Sequence, residues 1–418
     1  MNKMFEDLKL DDVQSIINPN VNLNLPYGCE YLDILGGRNF ERAKSLIEKW
    51  PNYTKSPLLE LSKLAQQINV AEVYYKDESE RFGLSSFKAL GGAYAVSRLL
   101  IKEINKQYPN ETVTTEDLVS RKYSDITQHI TVTCATDGNH GRSVAWGAQS
   151  FGCQCIIYIH STVSQGRADA IVSYGAQVIR TLGNYDDAVR QVDEDAKKHD
   201  RFIVSDTSYE GYLDVPKDVM QGYAVMADEI LSQLPSNQKL THVFLQGGVG
   251  GLAAAVTAHL WEKLEQDKPL FIVVEPEEAA CLYESAKAGE PVAVLGNLNT
   301  VMAGLACGEV SVLAWTILKD AVSYFMTIND QSALEMMKIL AKDAAAHPVV
   351  AGESAVAGLV GCVAATLDPV MRKRFQLNEA SCILIIGSEG ATDPDLYQSI
   401  IGASATQIKG GEQDCEKN

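Results

Sequence analysis

From His129 to Val274 the chain repeats one pattern, a short apolar run followed by a helical segment. Apolar runs at 130–134, 155–159, 177–181 and 202–204 alternate with helical spacing at 139–151, 165–174 and 186–199. A helix at 220–234 follows Pro216, then strands at 241–245 and 270–274 flank a glycine loop and a helix at 252–264. Strand and helix in alternation leave few folds open, because each helix must carry the chain back to start a parallel neighbour. The expected class is therefore α/β with mostly parallel sheets. Outside this region the spacing predicts helices at 40–50, 58–68, 315–321, 331–346 and 354–367, and strands at 71–76 and 382–386. Residues 102–127 read as a charged, irregular excursion, 277–310 as mixed loop and helix, and the tail from 403 as disordered.

A length of 418 residues suits two or three domains. The net charge of −18 opposes binding to a phosphate backbone, so nucleic acid is excluded as a partner. No apolar run is long enough to span a bilayer, and the first twelve residues lack the apolar stretch of a signal peptide. Nine scattered cysteines without a Cys-x-x-Cys pair, and seven histidines without ligand spacing, predict no metal site and a reduced, cytoplasmic setting. Whether Cys281 and Cys307 pair is left open.

Four stretches stand where chemistry is expected. Lys88 lies in Ser-Ser-Phe-Lys-Ala-Leu-Gly-Gly, ahead of an apolar helical run. A lysine there is either a surface residue or a desolvated amine able to form a Schiff base. Ser86 is placed to cap the helix that starts near Lys88. Gly247, Gly248, Val249, Gly250 and Gly251 follow a strand and open a helix. They make either a bare turn or a cradle of N–H groups for one phosphate. The Gly-x-Gly-x-x-Gly spacing of a dinucleotide loop is absent. Thr-Asp-Gly-Asn-His-Gly at 136–141 also joins strand to helix. Asn139 caps that helix or meets a ligand, Asp137 is a turn residue or a carboxylate at the carboxyl edge of a parallel sheet, and His140 fits a structural role as well as a catalytic one. Ser388, in Gly-Ser-Glu-Gly after the last strand, caps a helix or offers a hydroxyl to a ring nitrogen.

Taken in order, Ser-Phe-Lys, Asp-Gly-Asn-His-Gly, the glycine loop and Ser-Glu-Gly resemble the fold-type-II pyridoxal 5′-phosphate (PLP) enzymes. Within them the resemblance is to the diaminopropionate ammonia-lyase family. It is carried by Lys-Asp-Glu-Ser-Glu-Arg-Phe-Gly-Leu at 76–84, Thr-Asp-Gly-Asn-His-Gly-Arg at 136–142 and Met-Gln-Gly-Tyr at 220–223. Met-Ala-Gly-Leu-Ala-Cys-Gly-Glu at 302–309 and Gly-Ser-Glu-Gly-Ala-Thr-Asp at 387–393 complete it. Serine and threonine dehydratases of this fold share the lysine and the phosphate loop but usually lack the aspartate before Gly-Asn-His. Ala355 stands where the family often has glycine after Gly-Glu-Ser.

The resemblance implies two three-layer α/β/α domains with the active site in the cleft between them. A large PLP-phosphate-binding domain would comprise 1–94 and 210–418, and a small α/β domain 95–209. It implies that Lys88 holds PLP as a Schiff base, that residues 247–251 bind the phosphate, that Asn139 meets the phenolic oxygen and that Ser388 meets the pyridine nitrogen. The implied reaction is α,β-elimination of 2,3-diaminopropionate, L and D, to pyruvate and two ammonia. Lys88 and Asp137 serve as bases on opposite faces, and Asp206 contacts the distal amine. Ser86 and His140 join Asp137 and Asp206 in binding substrate. Asp206, at another strand end, is otherwise a loop cap. A homodimer is implied by the family. The alternatives are a serine/threonine-type dehydratase or hydroxyaspartate ammonia-lyase on the same scaffold, or a PLP-binding protein without activity.

Overall fold

A computed structural model describes residues 3–183, 185–342 and 344–410. Among the described residues the strands are β1 (Gln14–Ile17), β2 (Leu58–Glu60), β3 (Glu72–Asp77), β4 (Thr131–Thr136), β5 (Gln154–Ile159), β6 (Gln177–Arg180), β7 (Phe202–Ile203), β8 (His242–Gln246), β9 (Leu270–Pro276), β10 (Val322–Ile328) and β11 (Cys382–Gly387). They form two sheets, ordered β1-β10-β9-β8-β11-β3-β2 and β6-β5-β4-β7. The four-stranded sheet is parallel throughout, and the larger one is parallel except at its edges, where β1 and β2 run antiparallel. β8, β10 and β11 are buried at every position, as strands covered on both faces must be.

The chain divides into two compact units. One contains the chain up to Tyr31, Ser56–Glu80 and the chain from Ala227; the other contains Leu32–Lys55 and Arg81–Met226. These bounds differ from the expected 1–94 and 210–418 against 95–209. The helix Lys88–Gln107 runs unbroken through position 94. Its glycines pack within the second unit: a Cβ on Gly91 would stand 2.3 Å from the Tyr223 ring, and one on Gly92 would stand 2.4 Å from Ser143 Oγ. Lys88 therefore belongs to the unit of Asp137 and Asp206, not to that of the glycine loop.

In each unit the order of strands reverses at one point. β4, β5 and β6 step one way from β4, and β7 lies on its other side. In the larger sheet β8, β9 and β10 step one way, and β11 flanks β8. The loops leaving the carboxyl ends of strands diverge at such a point and leave room for a ligand. The loops there are Asp137–Asn139 and Ser205–Ser208 in one unit, and Gly247–Gly251 and Ser388–Gly390 in the other.

Several local readings are corrected. Residues 58–68 were expected as one helix; Leu58–Glu60 instead pairs with β3, and the helix is only Ser62–Gln67. The region 102–127 is not irregular: it ends the Lys88 helix and adds the helices Thr115–Val119 and Ser124–Thr127. The tail forms a helix at Ala405–Gly410, and the remainder of the expected disorder lies outside the described residues. The described cysteines are free thiols, Cys281 and Cys307 included. Among the described residues no helix is long and apolar enough to cross a membrane.

At the end of β9, Glu275 is fully buried and accepts the N–H groups of Leu282 at 3.0 Å and Tyr283 at 2.7 Å. Burial pushes its carboxyl up to about 8, against the lowering effect of those bonds. A folded-state value raised above the unfolded one means stability that is full below about pH 4.5 and is lost as pH rises through about 8. Glu275→Gln is expected to flatten that slope, whatever it does to stability at pH 5. Urea titrations at several pH values check it; equal slopes in both proteins would count against a protonated Glu275.

Candidate active site

In the second unit Lys88 starts its helix. Ser86 Oγ accepts the Lys88 N–H at 3.3 Å, and Ser143 Oγ donates to the Lys88 carbonyl at 2.7 Å. The lysine root is thus held at both ends of its peptide. Its Nζ forms an ion pair with Asp206 Oδ2 and lies 5.4 Å from the Phe87 ring centre and 5.9 Å from that of Tyr223. Aromatic faces near a cation favour it without hydrating it.

Asp206 is largely buried, with 13% of its side chain exposed. Burial alone would raise its carboxyl, but the charges of His140 and Lys88 and the Lys88 hydrogen bond outweigh it and leave the acid far below the ordinary carboxylate range. His140 Nε2 lies 2.7 Å from the Val204 carbonyl, which makes Nε2 the protonated nitrogen. Its Nδ1 is buried without a hydrogen-bond partner, 3.8 Å from Asp206 Oδ2. Burial lowers the pKa of this ring, with Asp206 opposing. Lys88, His140 and Asp206 thus form one cluster.

Asp137 is not in that cluster. Its Oδ1 lies 2.7 Å from His160 Nε2. Asn139 begins the helix Asn139–Phe151 at its expected bounds, with Gly138 rather than Asn139 in the cap position. Its Oδ1 accepts from Arg142 at 3.1 Å. Sequence reading missed His160, whose only signal is its place directly after a strand in a parallel series.

In the first unit Gly248 and Gly250 have φ of 66° and 96°, values that favour glycine. A Cβ on Gly247 would stand 2.4 Å from Glu275 Cγ. No side chain caps the helix Gly251–Leu264. A helix start without a capping side chain leaves its first N–H groups available to an anion. Beside this loop Gln246 Nε2 donates to Ser388 Oγ at 3.0 Å and to the Ile386 carbonyl at 2.9 Å. Ser388 is buried, and since its oxygen already accepts, its own hydrogen is directed to another acceptor. An uncapped, glycine-lined helix start suits a phosphate, and a buried hydroxyl donor suits an unprotonated ring nitrogen, so these residues fit PLP. Among the described residues no cluster of three or more His, Cys, Asp or Glu could hold a metal ion.

The comparisons agree with this chemistry. The family described as "Pyridoxal-phosphate dependent enzyme" matches residues 49–386, and the chain belongs to it. Within it, diaminopropionate ammonia-lyase of Escherichia coli (strain K12) is 38% identical over 86% of this chain and 90% of its own length. The Salmonella typhimurium enzyme of the same name is 37% identical over 88% and 93%. The crystal structure of holo diaminopropionate ammonia lyase from Escherichia coli superposes with a TM-score of 0.84 at 35% identity, covering 94% of this chain and 97% of that one. The chain is therefore a member of the diaminopropionate ammonia-lyase family.

Proposed function

We propose that this protein eliminates ammonia from 2,3-diaminopropionate, giving pyruvate and two molecules of ammonia. The observation that carries the reading is the ionised Asp206 set against an amine. An amine leaves carbon only when protonated, and a buried carboxylate facing it keeps it so. A hydroxyl leaving group has no use for that anion, which favours diaminopropionate over serine or threonine.

Bound PLP supplies an electron sink for the pair left at Cα when the α-proton departs. Lys88 would hold PLP at its aldehyde carbon, the N–H groups of residues 247–251 would hold its phosphate, Asn139 would meet its phenolic oxygen and Ser388 its ring nitrogen, where a neutral hydroxyl in place of a carboxylate would favour the unprotonated form. The Lys88 amine would take the α-proton of one isomer. The Asp137 carboxylate takes that of the other isomer from the opposite face. Asp206 retains the distal ammonium until it departs, with His140 and Ser86 completing the substrate contacts. The remaining 2-aminoacrylate hydrolyses to pyruvate and the second ammonia. The protein works as a cytoplasmic homodimer.

Ammonia and pyruvate release by the holoenzyme from L- and D-diaminopropionate, serine and threonine tests this. Both diaminopropionate isomers are expected to exceed serine and threonine by at least about 10-fold in kcat/KM, the low end of what one changed substrate group discriminates. Faster turnover of serine or threonine would make the protein a dehydratase. PLP bound with no ammonia released from any of the four would make it a non-catalytic binding protein.

A further inference from the structure

The register of the smaller sheet puts His160 beside Asp137. Thr136 pairs with Ile159 as the last residues of β4 and β5, so positions 137 and 160 are the next pair out along two adjacent parallel strands. There His160 Nε2 lies 2.7 Å from Asp137 Oδ1. On the other edge of the ring, Nδ1 lies 2.9 Å from Thr162 Oγ1. This chain of contacts has one arrangement that satisfies every atom with a neutral imidazole. Nε2–H donates to the carboxylate, and the Thr162 hydroxyl donates to Nδ1.

We infer that His160 is a positioning residue for Asp137, turning its carboxylate toward the α-proton of the D isomer. The inference rests on the proposed role of Asp137. With Oδ1 held by His160, the second oxygen is the one presented to an α-proton. Arg167 donates to the Asp137 carbonyl at 3.3 Å, and Arg180, on β6, donates to the His160 carbonyl at 3.3 Å, so the backbone beneath both side chains is held as well.

Turnover of the D and the L isomer by the holoenzyme, measured side by side, separates this effect from a general loss of structure. His160→Leu, which removes the donor, is expected to lower kcat for the D isomer by about 10- to 100-fold, the effect of misplacing a reacting group by about an ångström. The L isomer should stay within about 3-fold. His160→Gln restores an N–H of similar reach and is expected to recover most of the D turnover, a rescue that a merely structural role would not give.

Equal losses on both isomers in His160→Leu, or an unchanged D-to-L ratio, overturn the inference. Asp137→Asn run alongside separates the two levels. If it lowers D turnover selectively while His160→Leu is silent, only the role of His160 fails. If it lowers both isomers equally, the base assignment fails and this inference falls with it.

Discussion

Lys88→Ala, assayed as the PLP-supplemented protein, loses at least about 10³-fold in ammonia release from either isomer of diaminopropionate. No neighbouring group replaces the amine. Lys88 is both the proposed covalent tether and the proposed base for one isomer. The groups seen around Nζ are a carboxylate, two aromatic rings and a histidine whose pKa burial lowers, none of them a second primary amine. The near-visible absorbance of covalently held PLP should vanish with the activity. The substitution also strands Asp206, which is mostly buried, without its principal cation. Removing one partner of a buried pair costs about 3–5 kcal/mol. A thermal melt must therefore accompany the kinetics. A folded Lys88→Ala protein that still released ammonia at near wild-type rate would remove the amine from the mechanism.

The second large effect is selective. Asp137→Asn keeps the shape of the side chain and one oxygen to accept from His160 Nε2, but it removes the base. The D isomer is expected to lose about 10²- to 10⁴-fold in kcat, the range for one general base, with the L isomer changed by less than about 5-fold. The structure gives a reason to expect separable effects. Asp137 pairs with His160, whereas Lys88 pairs with Asp206, so neither carboxylate shares a hydrogen bond with the other's partner. Steady-state assays on each pure isomer decide it. A loss shared equally by both would leave Asp137 as a binding residue only.

Much of this arrangement was legible in the residues. The β/α alternation after position 129 gave a parallel sheet, and the helix Asn139–Phe151 falls at its expected bounds, because its glycine entry and its exit at Gly152 are unambiguous local signals. β10 was not foreseen. The chain passes from the helix Val312–Ala321 straight into Val322–Ile328 with no turn residue between them. All seven strand residues are buried, so no alternation marks the change of period. The strand at Leu58–Glu60 exists through pairing with β3, fourteen or more residues along the chain, a contact that local spacing does not encode. The same limit hid His160. Its importance comes from β4 and β5 lying side by side in register, whereas in sequence it is a single polar residue after an apolar run.

The paired glycines after Lys88 have a further consequence. Gly91 and Gly92 let the backbone of the helix press against Tyr223 and Ser143 with no side chain interposed. The anchorage of the reactive amine is thereby rigid, while the four-methylene arm above it remains limber. The role proposed for Lys88, tether and base in turn, would need such a mount: a fixed root carrying a side chain with four rotatable bonds.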